Sequence, residues 1–274
     1  MKHAITAVIT LLLITACATS PTGRTQFMLV SPSQAISESK QAYVSTVAEV
    51  SQNHQLIIDQ AWVDRLSTIT GRLVTEAIKK YPQTADWQWS VAIIDDPEML
   101  NAWCMAGGRM AIYSGIVTKL SLSDDEIAQI MGHEISHALA NHTAEKMSRA
   151  ILINSGLALT SKVTDANGYI LSGSAIAAQL ALQLPNSRDA EREADEIGIE
   201  LATRAGYNPD AAVTLWRKMA ENGGRTPEFL STHPSPENRM NSLQVLGNEM
   251  RALNPNQTPS RVHPITVVTD IKQL

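Results

Sequence analysis

A chain of 274 residues, 44% hydrophobic and 18% charged, can bury one core of ordinary size, and a single domain of about 200 residues is the economical organisation. Its formal charge of −5 comes without a basic cluster or a basic-aromatic face, which argues against a nucleic-acid-binding protein. Only two cysteines are present, Cys17 and Cys104, so a fold held by several disulfides is excluded.

Residues 1–16 read as a bacterial secretion signal. Lys2 and His3 precede an apolar run, Ala4 to Ala16, that is too short to span a bilayer as a permanent helix. Ile14-Thr15-Ala16-Cys17 resembles the lipobox of bacterial lipoproteins. That resemblance implies cleavage before Cys17 and lipid on its sulfur, with the acyl chains tethering the protein to a membrane. Ala18 stands where an aspartate commonly signals inner-membrane retention, which implies the outer membrane of a Gram-negative bacterium, facing the periplasm. An acylated Cys17 leaves Cys104 without a disulfide partner in its own chain. Residues 17–33, rich in Ser, Thr, Pro and Gly, read as a tether.

A core-bearing domain is expected over 34–250. Apolar residues at helical spacing predict helices over Ser33–Val50 and Ala61–Lys80, the second stopped by Tyr81-Pro82. From Trp87 to Asp95 the period changes to two, which predicts a strand. Asn101–Ala106 and Arg109–Tyr113, separated by Gly107-Gly108, predict two more, so a small, mostly antiparallel sheet is expected within an α+β, mainly helical fold. Ser123-Asp124-Asp125-Glu126 has the form of a capping box opening a further helix. Residues 150–184 read as two apolar helices joined by a loop, placed over or near that helix as core, lid or membrane-contacting hairpin; neither half reaches transmembrane length. Ser187 opens a helix to Ala205 with Gly206 as its cap, and Asn208-Pro209 and Ser235-Pro236 look like further helix starts. Residues 251–274 read as a loosely held tail.

The chemistry concentrates in Gly132-His133-Glu134-Ile135-Ser136-His137. On a helix the two histidines of H-E-x-x-H lie one turn apart on nearly the same face, so both imidazoles can grip one metal ion. Glu134 is turned about 100° away, which suits a carboxylate reaching for water beside the metal. A peptidase zinc takes three protein ligands and an open position. Glu191 and Asp195, again one turn apart, offer a third ligand and a hydrogen-bond partner for a ligand histidine; Glu193 competes with Glu191.

H-E-x-x-H followed by S-R-x-x-E-x-x-A-D, together with N-A-x-C-x-x-G-G-R at Asn101–Arg109 and H-P-x-x-x-x-R at His233–Arg239, resembles the gluzincin family of the CAAX prenyl proteases, HtpX and the mitochondrial OMA-type proteases. The nearest members by resemblance are periplasmic lipoproteins such as LoiP and BepA, and the match covers roughly residues 60–245. The resemblance implies a zinc metalloendopeptidase with one Zn(2+) per chain on His133, His137 and Glu191. It implies Glu134 as general base, Asp195 and Arg188 as supporting residues, Arg239 as part of the catalytic group, and His233 as either an oxyanion donor or an inhibitory metal ligand. The strand Asn101, Ala102, Trp103, Cys104, Met105 and Ala106 is the implied substrate-binding edge, pairing with extended peptide backbone. Unfolded or misassembled envelope proteins are the implied substrates, with outer-membrane assembly machinery as a further partner. Two rivals stand beside this reading: a periplasmic chaperone or assembly-factor lipoprotein with a mostly closed zinc site, and a structural site with four protein ligands.

Overall fold

The computed structural model describes residues 17–161, 185–221, 228–233 and 238–274, together with Gly173 and Gln179. The signal segment, most of the apolar stretch 162–184 and the Ser235-Pro236 helix start lie outside the described residues.

Cys17–Thr19 (β1) and Thr25–Phe27 (β2) pair as an antiparallel hairpin. Pro32–Gln52 (α1) follows, with Ser31 as N-cap and proline at its first position, and Gln60–Lys80 (α2) is capped by Asp59. Ser90–Ile94 (β3), Ala102–Met105 (β4) and Arg109–Tyr113 (β5) lead into Ser114–Lys119 (α3). Asp124–Leu139 (α4) carries the H-E-x-x-H residues; His142–Ser161 (α5), Arg188–Arg204 (α6), Ala211–Glu221 (α7), Glu228–Thr232 (α8) and Arg239–Met250 (α9) follow. Thr266–Val268 (β6) closes the sheet. Among the described residues no helix is long and apolar enough to cross a membrane.

The fold is α+β and mainly helical, but its principal sheet is mixed. The strand order is β4-β5-β3-β6, with β4 antiparallel to β5 while β5 and β6 both run parallel to β3. The expectation of a mostly antiparallel sheet is corrected because β3 does not turn back onto its sequence neighbour; residues 95–101 carry the chain past β5 to the free edge. Both sheet faces are buried. Val91, Ile93, Met110 and Ile112 enter one core with α2, α4 and α6, whereas Ala92, Ile94, Trp103 and Met105 enter a second core with Tyr43 and Val47 of α1. Double coverage is the usual reason a strand is apolar at successive positions.

Two terminal expectations also change. Residues 17–27 are not a loose tether, since the hairpin lies against α5 and buries Gln26. Nor is 251–274 a loose tail: Val267 and Val268 are buried against β3.

The two helices that matter for the site meet backbone to backbone. A Cβ built on Gly198 of α6 would stand 2.8 Å from the His133 nitrogen of α4, and one on Gly132 would stand 2.9 Å from the Gly198 carbonyl oxygen. No side chain separates the helices at this crossing, so short carboxylates on α6 reach imidazoles on α4.

Candidate metal centre

Helix α4 begins at a capping box. Ser123 Oγ accepts from the Glu126 amide, and the Glu126 carboxylate accepts from the Ser123 amide at 2.9 Å. Lys218 and Thr214 of α7 hold the same carboxylate at 2.7 and 2.8 Å, fixing the helix start. Two and three turns on, His133 and His137 face α6.

Four donors converge there. Ligand atoms of His133, His137, Glu191 and His233, all buried, lie within 4.8 Å of one another. His133 Nε2 is 3.1 Å from His137 Nε2, 3.2 Å from His233 Nδ1 and 3.3 Å from Glu191 Oε2. Nitrogen ligands about 2.0–2.1 Å from a tetrahedral ion stand about 3.3 Å apart, so the donor set fits zinc in chemistry and spacing. Asn186 Nδ2 joins from the segment before α6, at 3.4 Å from His137 Nε2 and 3.3 Å from His233 Nδ1.

Behind the donors stands an ionic frame. Asp195 Oδ1 lies 3.1 Å from His133 Nδ1, and Arg239 donates to Glu191 Oε2 at 3.2 Å and to Asp195 Oδ1 at 2.6 Å. The guanidinium rests 3.7 Å above the Trp216 ring, a cation–π contact in a dry setting. Arg239 thus supports the carboxylates from the far side and positions them, where the resemblance placed it among catalytic groups. Arg188 is corrected more strongly. It is exposed at the first position of α6 and makes no ion pair with the site among the described residues. Glu193, the competing third ligand, turns away from the cluster to His142.

Glu134 is 2% exposed, and its Oε1 has no hydrogen-bond partner; His233 Nε2 stands 3.4 Å away. Burial raises its pKa, against the pull of His233 and His133. It lines a cavity of about 20 Å³ with Trp103, Cys104, His137 and His233, which is room for about one water and not for a peptide. β4 forms the sheet edge beside this cavity, with Trp103 and Cys104 facing it; Asn101 turns its side-chain oxygen onto the Ala102 amide instead. Cys104 is a buried thiol whose pKa is raised by burial.

Burial opposes a charge on His133, but Glu191 and Asp195 outweigh it and lift its pKa from 6.5 to about 9 in the metal-free protein. A raised pKa stabilises the fold fully below 6.5 and ceases to do so as pH rises through about 9. A metal needs the same nitrogen unprotonated. Zinc affinity is therefore expected to climb from pH 6.5 towards 9, with proton release on binding, measured by calorimetry in buffers of different ionisation enthalpy. An affinity flat over that range would show that His133 is already neutral.

Residues 63–246, which include every donor of this cluster, match the family described as Peptidase family M48. The chain belongs to peptidase family M48. Among similar proteins, the mitochondrial metalloendopeptidase OMA1 of Saccharomyces cerevisiae is 35% identical over 168 residues, 57% of this chain and 46% of that protein. The human metalloendopeptidase OMA1 is 28% identical over 238 residues, 82% and 44% of the two chains. The beta-barrel assembly-enhancing protease of Escherichia coli is 27% identical over 208 residues, 72% and 41%. The chain spans somewhat less than half the length of these curated relatives. The family expected from the motifs is the family found.

Proposed function

We propose that this M48 chain is a zinc-dependent endopeptidase of the bacterial envelope that degrades unfolded or misassembled proteins. The observation that carries the reading is the convergence of His133, His137 and Glu191 beside a buried Glu134 oxygen that accepts no hydrogen bond, with His233 Nε2 3.4 Å away. Zinc held by these three residues would polarise a peptide carbonyl and make water more acidic. Glu134 takes the proton of the attacking water and hands it to the leaving amine. Asp195 and Arg239 hold the ligand geometry, and the backbone of β4 aligns an extended substrate without demanding a particular sequence. Related proteins carry names that tie them to β-barrel assembly, which supports an envelope role here. The lipid anchor on Cys17, the outer-membrane location and the division into signal, anchor and peptidase domain 34–250 belong to the same proposal; Cys17 is exposed at the start of β1.

A specific observation favours a mostly closed form. His233 Nδ1 sits among the donors, and the cavity beside Glu134 has no room for substrate. We read His233 as a fourth ligand that shuts the site, placed immediately after the short helix α8, whose displacement opens it; this form also suits an assembly factor that cleaves only when engaged. Casein cleavage by the full chain, with zinc and after chelation, tests the assignment. Zinc-dependent cleavage is expected, and His233→Ala is expected to cleave severalfold faster. No cleavage by either protein with zinc bound would sink the peptidase reading; slower cleavage by the variant would make His233 an oxyanion donor.

A further inference from the structure

His133 and His137 are oriented by different means. Asp195 touches His133 Nδ1 directly, while His137 Nδ1 lies 2.7 Å from Nδ1 of a third histidine, His142. His142 Nε2 is in turn 3.1 Å from Glu193 Oε2. His142 is 2% exposed and Glu193 3% exposed, so water does not compete for these contacts.

The roles along this line follow from the carboxylate, which can only accept. His142 must place its proton on Nε2 to meet Glu193, which leaves a lone pair on Nδ1. The 2.7 Å contact then requires His137 to donate from Nδ1, and its own lone pair falls on Nε2, the atom 3.1 Å from His133 Nε2 in the donor cluster. Glu193 is itself fixed from the hairpin next to Cys17. Thr22 Oγ1 donates to its Oε1 at 2.8 Å and Arg24 Nε to its Oε2 at 3.0 Å, while the other two nitrogens of Arg24 grip Glu145 at 2.9 and 2.7 Å.

We infer that His142 is a positioning residue for the metal, setting the His137 tautomer through Glu193, and that the N-terminal hairpin is the outer anchor of this relay. The inference rests on the zinc reading above. It explains how His137, whose Nδ1 meets no carboxylate, is oriented, and gives the contacts of Thr22 and Arg24 with Glu193 a role at the centre of the molecule.

The test is zinc affinity of the full chain by chelator competition, with thermal melting of each variant without metal as the control for folding. Partners that orient ligands from outside the metal's own shell are worth about 10- to 100-fold in affinity. His142→Gln, which keeps an amide near the Glu193 side but removes the acceptor at the Nδ1 position, is expected to weaken zinc by about 10-fold or more. His142→Asn places an oxygen where Nδ1 was and is expected to restore most of that loss. Arg24→Gln should weaken zinc less than His142→Gln. Unchanged affinity in His142→Gln would overturn the inference, as would equal losses in Gln and Asn variants, because packing alone would then explain them. A wild-type chain that binds no zinc would overturn the zinc reading and this inference together, whereas the first two outcomes leave that reading standing.

Discussion

Glu134→Gln is expected to abolish casein cleavage, by about 100-fold or more, while zinc content stays at the wild-type level. Glu134 is not among the four converging donors, and its Oε1 makes no hydrogen bond that folding depends on. The amide keeps the shape of the carboxylate and loses the ability to take a proton. Zinc analysis, melting and casein digestion on the same preparation separate the effects. Undiminished digestion would refute the proposed base. Lost digestion with intact protection of cells under envelope stress would instead favour the assembly-factor role.

Arg239→Ala is expected to produce the largest loss of stability. The guanidinium is 2% exposed, bridges Glu191 and Asp195, and covers Trp216. Its removal leaves two buried carboxylates with His133 to offset them, and breaking a buried pair of this kind typically costs about 3–5 kcal/mol. Denaturant unfolding of chelated protein measures it, and added zinc should recover part of the loss by neutralising Glu191. Arg239→Lys should fall between, since one ammonium cannot serve both carboxylates with the geometry of a planar fork. A change below about 1 kcal/mol in the chelated alanine variant would mean that the carboxylates find protons or other partners.

The parts of this site that were readable from the chain alone are those encoded at short range. His133 and His137 are one helical turn apart, Ser123 and Glu126 bracket a helix start, and Glu191 and Asp195 repeat the same spacing, so each pair announces its face. Gly206, at φ +100°, ends α6 as its position suggests. What escaped depends on distant segments meeting. Asn186 enters the cluster because its amide bonds the Thr232 carbonyl across the chain. One of the two parallel partners of β3, β6, is a strand of only three residues near the other end, too short to show a period. Residues 17–27 carry the Ser, Thr and Gly of a linker, yet Arg24 and Gln26 find Glu145 and Glu193 waiting on two helices. Arg188 illustrates the converse: it sits in a motif, but its helical position points it to solvent.

The contact between Gly132 and Gly198 has a consequence for how this chain can vary. Where two helices are spaced by side chains, each change of core volume shifts them. Here peptide units touch, and the distance between the histidine-bearing and carboxylate-bearing helices is set by atoms common to every residue. Substitutions elsewhere in the interior can accumulate without moving the donors relative to one another, while these two positions admit no side chain at all. Tolerance around the centre and intolerance at one crossing are two aspects of the same construction.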